Sequence, residues 1–314
     1  MNIGDSQRVA VQLGISALVV LAAGCSGSAG APLATNTTMV MPQTRTAGTP
    51  ADSNRKLYVS TIDGGSVVVY SAGSDPTLLQ TITDGVPRPA GIWIDKHGVL
   101  YAVNVPGPYY QTSLPEYKPG ASSPFRTIID GIVNVSEVAV DSKESVYVTG
   151  LNTATGDLFL EIYPKHQLAP AETLTIPNVG LGGVDGLAFD STGALLVGEG
   201  TEEGTSGAVF RLPPGSQTFT NLGLQKAPGG VIALDAAGNL YVGGNAGIAV
   251  YAPNSTKRLR HFIVPLGVSA LAIAPDGELY VGSFESVLEY APHAKNPKIS
   301  FDIPGHVGGL ALSH

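Results

Sequence analysis

The sequence predicts an all-β chain folded as a ring of six four-stranded blades. Three observations carry that prediction. A short phrase recurs six times, as in "NRKLYVSTI", "KHGVLYAVN", "KESVYVTGL", "TGALLVGEG", "AGNLYVGGN" and "DGELYVGSF". Between recurrences lie apolar pieces of strand length, rich in Val, Ile, Leu and Tyr and bounded by Gly, Pro, Asp or Asn. The composition agrees, since 40 glycines, 23 prolines and only 13 % charged residues suit many strands joined by turns.

Each repeat justifies the next. The recurring strands begin at Leu57, Leu100, Val146, Leu195, Leu240 and Leu279, in steps of 43, 46, 49, 45 and 39 residues. A second piece follows in every unit, such as "SVVVYSAG" or "IAVYAPNS", and then a third, such as "TLLQTI" or "RHFIVP". The fourth piece reads "AGIWID", "EVAVD", "GLAFD", "VIALD", "ALAIA" and "GLALS". It is the most apolar and the richest in small residues, which places it nearest the axis, where space is short. Four strands per unit of this length, repeated, specify a six-bladed β-propeller. The region starts on a second strand, "KLYVS", and stops on an innermost one, "GLALSH". Pairing Gly308–Ser313 beside Lys56–Ser60 would complete the first blade and remove two free sheet edges.

The first 54 residues differ. Val9–Gly24 is mostly apolar, too short to span a bilayer and suited to the core of a signal peptide. Its end, Ala22, Ala23, Gly24 and Cys25, resembles the lipobox of bacterial lipoproteins. The resemblance implies a signal peptide over residues 1–24, lipidation of Cys25, and export to a membrane; Ser26 implies the outer membrane in a Gram-negative cell. Cys25 is the only cysteine, so no internal disulfide is available. Residues 25–54 read as a flexible Ser/Gly/Thr/Pro-rich tether with a span on the order of 30 Å. Residues 55–314 form the propeller.

The recurring "GLAFDSTGALLVG" phrase (Gly186 to Gly198) resembles the NHL-repeat and SMP-30-like group of six-bladed propellers. That likeness speaks to architecture more than to activity. In "VDGLAFDSTGALLV", Asp185 stands where SMP-30-like lactonases carry a metal-ligating base. The family's glutamate from the first blade has no counterpart here. Glu199, Asn104 and Asn134 are the remaining oxygen donors for Ca2+ or another divalent cation. An activity like that of virginiamycin B lyases needs a histidine in a channel, and His306 is the only one placed near an inner strand.

Asp95, Asp141, Asp190 and Asp235 end successive inner strands, and they read as turn residues, each hydrogen-bonding the backbone ahead of it. Function is expected where blades differ. Polar exceptions before the inner strands are Asn134, Glu137, Asp185 and His306; after the second strands they are Asn104, Glu199 and Asn245. Two irregular loops offer contact surfaces, "NVPGPYYQTS" with Tyr109 and Tyr110, and "GEGTEEGTSGA" with Glu202 and Glu203. The net charge of −8, with no basic run, excludes nucleic acid as a partner. The favoured reading is a lipid-anchored, non-catalytic binding or scaffolding module for a protein, peptide or glycan at the cell envelope, without a cofactor. The alternative is a metal-dependent hydrolase of the SMP-30 or gluconolactonase kind, with its site in the central channel.

Overall fold

The computed structural model describes residues 55–105, 112–129, 134–152, 154–177, 182–201 and 203–313, which belong to one unit of the chain, Gly48–His314. Cys25 and the expected signal peptide and tether lie outside the described residues.

Among these residues there is no helix, and strands form six antiparallel sheets of four. Blade 1 consists of β1 (Lys56–Thr61), β2 (Ser66–Ser71), β3 (Leu78–Ile82) and the last strand, β24 (Val307–Leu312). Blade 2 is β4 (Pro89–Ile94), β5 (Leu100–Asn104), β6 (Leu114–Tyr117) and β7 (Arg126–Ile128). Blade 3 is β8 (Val135–Val140), β9 (Val146–Asn152), β10 (Asp157–Tyr163) and β11 (Glu172–Ile176). Blade 4 is β12 (Val184–Phe189), β13 (Leu195–Gly200), β14 (Gly207–Leu212) and β15 (Thr220–Asn221). Blade 5 is β16 (Val231–Leu234), β17 (Leu240–Gly244), β18 (Gly247–Tyr251) and β19 (Arg258–Phe262). Blade 6 is β20 (Ala270–Ile273), β21 (Leu279–Ser283), β22 (Ser286–Tyr290) and β23 (Ile299–Asp302).

The chain is a six-bladed β-propeller. Its ring closes as the sequence predicts: β24 pairs with β1, Leu57 opposite Leu312, Val59 opposite Leu310 and Ser60 opposite Gly309. Apolar side chains pack between successive blades rather than at one centre. The seam between blades 6 and 1, for example, buries Leu57, Val59, Tyr280, Val287 and Leu310. Tyr70 and Phe301 meet edge-on across that seam, 5.1 Å between ring centroids. Every blade therefore needs both neighbours, and an open ring would expose one seam to water.

The aspartate turns are architecture, as the sequence suggests. Asp95 Oδ1 accepts from the N–H groups of His97 (2.8 Å) and Val99 (2.9 Å). Asp141, Asp190 and Asp235 repeat both bonds to the residues two and four ahead. Gly98, Gly193 and Gly238 occupy the left-handed position of three of these turns; Glu144, at φ 67°, holds it in the fourth. These turns define one face of the disc. The opposite face, where the channel opens, carries the β1–β2, β5–β6, β9–β10, β13–β14, β17–β18 and β21–β22 hairpins and the loops leading into the inner strands.

Candidate functional site

The six inner strands surround an axial cavity of about 80 Å3, lined by Ile92, Val138, Leu187, Ile232, Leu271 and Leu310 among others. Two carboxyls, Glu137 on β8 and Asp185 on β12, enter this lining, and no lysine, arginine or histidine does. A water molecule needs at least about 10–15 Å3, so the space suits a few waters or a small ion. Both strands are irregular here. The register shifts between Val135 and Glu137 on β8 and between Val184 and Gly186 on β12. Such bulges re-aim side chains that a regular ladder would turn elsewhere.

Asp185 accepts hydrogen bonds from the backbone N–H groups of Gly200 and Gly230. Glycine is required at both, because a Cβ on either would run into Asp185 Oδ2. Burial, then the charge of nearby Glu199, pushes the Asp185 carboxyl up to about 6 despite those bonds. Glu137 is raised well above the usual carboxylate range, by burial first and Asp185 second. A Cβ on Gly91 would lie 2.5 Å from Glu137 Oε2, so blade 2 makes room for this carboxyl. Across the ladder from Glu137 stands Thr149. Its buried Oγ1 has no hydrogen-bond partner among the described residues.

The other sequence-derived candidates take separate places. Glu199 is buried beside Asp185 on β13. Asn104, also buried, holds the loop before β4: its Oδ1 accepts from the N–H of Arg88 at 2.9 Å and its Nδ2 donates to Ser113 Oγ at 3.4 Å. Ser283 does the same in blade 6, donating to the carbonyl of Pro265 at 2.6 Å. Asn134 is exposed at φ 51°. His306 does not line the cavity. It sits on the rim, paired with Asp63 and set edge-on to Phe284, 4.2 Å between ring centroids. Glu203 is exposed on the β13–β14 hairpin, and its carbonyl accepts from Asn245 Nδ2 at 2.7 Å. Tyr109, Tyr110 and Glu202 lie outside the described residues. Among the described residues, no group of three or more His, Cys, Asp or Glu side chains is placed to hold a metal ion. Glu137, which the sequence marks only as a polar exception, is the side chain that joins Asp185.

Around the mouth the loops of blades 4, 5, 6 and 1 lock together. Asn245 N–H donates to the carbonyl of Gly204 at 2.7 Å, linking blades 4 and 5. The loop after β19 reaches blade 6 through Pro265 and Ser283. Phe284 accepts from Val307 N–H at 2.8 Å, and Ile62 N–H donates to the carbonyl of His306 at 2.9 Å, which brings in blade 1. On this wall three large apolar residues face solvent: Ile263 (66 % exposed), Leu266 (80 %) and Phe284 (48 %). Leu266 and Phe284 also hold left-handed backbone angles, φ 63° and 52°. Neither feature is legible from strand pattern. The available signal is an apolar residue in loop context, Leu266 between Pro265 and Gly267 and Phe284 where blade 5 has Asn245.

No family model matches the chain, and no curated protein does. Solved structures resemble it in fold. One is a protein of unknown function from Bacteroides caccae, at 10 % identity and TM-score 0.61, covering 83 % of this chain and 99 % of that one. A second is a putative 6-phosphogluconolactonase from Bacteroides fragilis, at 14 % and 0.59, covering 85 % and 100 %. A third is hydrazine synthase of Kuenenia stuttgartiensis, at 15 % and 0.57, covering 76 % and 80 %. At such identities the likeness is one of fold alone, and the variety among these proteins shows how little the ring itself says about function.

Proposed function

We propose that the protein is a lipid-anchored binding module of the cell envelope, of the NHL-repeat and SMP-30-like group, that engages a partner with its channel-mouth face and carries out no chemistry of its own. The observation that carries the reading is the apolar wall of Ile263, Leu266 and Phe284. Single exposed apolar residues are ordinary, but a cluster on interlocked loops is typical of contact surfaces. Cys25 supplies the anchor, through lipid chains rather than a spanning helix.

The test uses the full-length protein in cells. A photo-crosslinking amino acid at Leu266 should capture a partner that the same group at His293, on the opposite face, does not. Equal capture at both positions, or none at Leu266, refutes the reading. For the anchor, Cys25→Ser should release the protein from membranes; if it still sediments with them, lipid is not what holds it.

The alternative reading, lactone hydrolysis with a divalent cation in the channel, rests on Asp185. The poise of its carboxyl near neutrality suits a base, and one neighbour in fold is the putative 6-phosphogluconolactonase of Bacteroides fragilis. Against this reading, Asn104, one of its candidate oxygen donors, is committed to the loop before β4. Calcium should therefore leave the melting temperature unchanged; a rise that Asp185→Asn abolishes would revive the hydrolase.

A further inference from the structure

The lysines and arginines of this propeller gather on one of its two faces, while acids stand on both. On the mouth face, the exposed acids Asp63, Asp157, Glu203, Glu285 and Asp302 stand in hairpins and at strand ends, and Glu137 and Asp185 stand in the mouth itself. Among the described residues, Arg88 is the one arginine or lysine on this face. Lys226, in the β15–β16 loop, lies lower: its neighbour Gln225 donates to the carbonyl of Thr256, in a turn of the opposite face, at 2.9 Å. Two histidines, His261 and His306, also face this side; His261 contacts the carbonyl of Ala246 at 2.7 Å. The opposite face is mixed, with exposed lysines in the turns of four blades, Lys96, Lys118, Lys143, Lys165, Lys257 and Lys295, beside the exposed acids Asp75, Glu172 and Asp276.

Burial does not explain the sorting, since the residues on both sides are exposed. Nor do turn requirements: the aspartates that cap turns lie on the lysine-bearing face, and none of the five mouth-face acids accepts from the N–H two residues ahead. Within that acidic field sits the one described cluster of exposed apolar loop residues, Ile263, Leu266 and Phe284. Asp63 and Glu285 flank it directly, the first paired with His306 against the Phe284 ring and the second next to Phe284 in the chain.

Building on the docking surface argued above, we propose that the mouth face takes a cationic, amphipathic polypeptide segment, one that alternates lysine or arginine with large apolar side chains. Its apolar side chains would lie on Leu266, Phe284 and Ile263, and its cations would meet the surrounding carboxylates. Charge complementarity of this kind accelerates encounter, fixes orientation and rejects acidic competitors. The same field would turn away the nucleic acids and acidic glycans that share an extracellular surface.

The test is fluorescence anisotropy of a labelled peptide alternating lysine and leucine, against the same peptide with glutamate in place of lysine, on the full-length protein in detergent. The lysine peptide should bind and the glutamate peptide should not. Asp63→Asn with Glu285→Gln and Asp302→Asn should weaken binding about tenfold, within the range for three exposed ion pairs. Asp75→Asn with Glu172→Gln, on the opposite face, should change it less than twofold, and Leu266→Ser with Phe284→Ser should abolish it. Equal binding of the two peptides, equal loss from neutralising either face, or no binding of either peptide overturns the proposal. If neither peptide binds while crosslinking at Leu266 persists in cells, the surface is a docking site for a different chemistry. If crosslinking is absent too, both readings fall together.

Discussion

Asp185→Asn should stabilise the protein at neutral pH and have little effect in acid. The folded carboxyl is raised from 3.8 to about 6, so the folded state holds its proton more tightly than the unfolded chain. The stabilisation linked to that proton is fully present below pH 3.8 and is lost as pH rises through about 6. At 1.36 kcal/mol per unit, the rise corresponds to about 3 kcal/mol. Asparagine carries no charge and can place its carbonyl oxygen where Asp185 Oδ2 now faces Gly200 and Gly230. The variant should therefore match the wild type near pH 3.5 and exceed it by up to ~3 kcal/mol at pH 7.5, or roughly 6–10 °C in melting temperature for a domain of this size. Other carboxyls act in the opposite sense. Asp190 and Asp276 are held below their usual range by hydrogen bonds that outweigh burial, and their contribution is lost as pH falls. The measurement is thus the difference between variant and wild-type urea stabilities across pH. A difference that does not grow between pH 4 and 7 would refute the assignment of this proton to Asp185.

Two further predictions concern the scaffold. Arg126 meets the buried Glu116 carboxyl with Nε at 2.8 Å and Nη2 at 2.6 Å; Arg126→Ala strands that carboxylate and should cost about 3–5 kcal/mol in urea unfolding, whereas a loss under 1 kcal/mol would mean that water replaces the arginine. Deleting Val307–His314 opens the seam that buries Leu57, Val59 and Tyr280, and should remove the single cooperative transition by calorimetry; a truncated chain that still melts in one sharp step would show that closure is not what holds the ring.

Strand identity, blade phase and closure were legible because each depends on local pattern that recurs. Five of the six second strands begin where the "LYV" phrases start and the first begins one residue earlier, at Lys56, and Leu57 meets Leu312 because the repeat region opens and ends within one blade. Turn chemistry was legible for the same reason: an aspartate followed three residues later by glycine dictates its own hydrogen bonds, and even Glu144 follows the rule at an energetic disadvantage. The mouth was less legible. Asp185 and Glu137 both stand out from the repeat as polar residues before inner strands, but their meeting in one cavity was not legible, because both strands carry bulges that no strand pattern specifies. Asn104 looks like a channel residue in sequence and proves to be a loop anchor, since its position on β5 faces the backbone of Arg88. Charge sorting between the faces was invisible to composition, which averages the two sides into a single −8.

The two readings of the mouth meet in one measurable coupling. If cationic segments bind over Glu137 and Asp185, protonating Asp185 removes negative charge from beneath them. Affinity for the lysine–leucine peptide should then fall on acidification from pH 7.5 to 5.5, by about threefold for one partly screened charge. His306 and His261 face the same side, so the wild-type slope alone does not assign the effect to the carboxyl. Asp185→Asn removes the carboxyl and keeps both histidines; His306→Gln with His261→Gln does the reverse. The carboxyl account expects the slope to flatten in the first variant and persist in the second. By reciprocity, saturating peptide should lower the pH at which Asp185 titrates by the same free energy. A slope that survives Asp185→Asn and vanishes with the histidines would move the pH dependence from the channel to the rim, and would leave the proton on Asp185 with a role in stability alone.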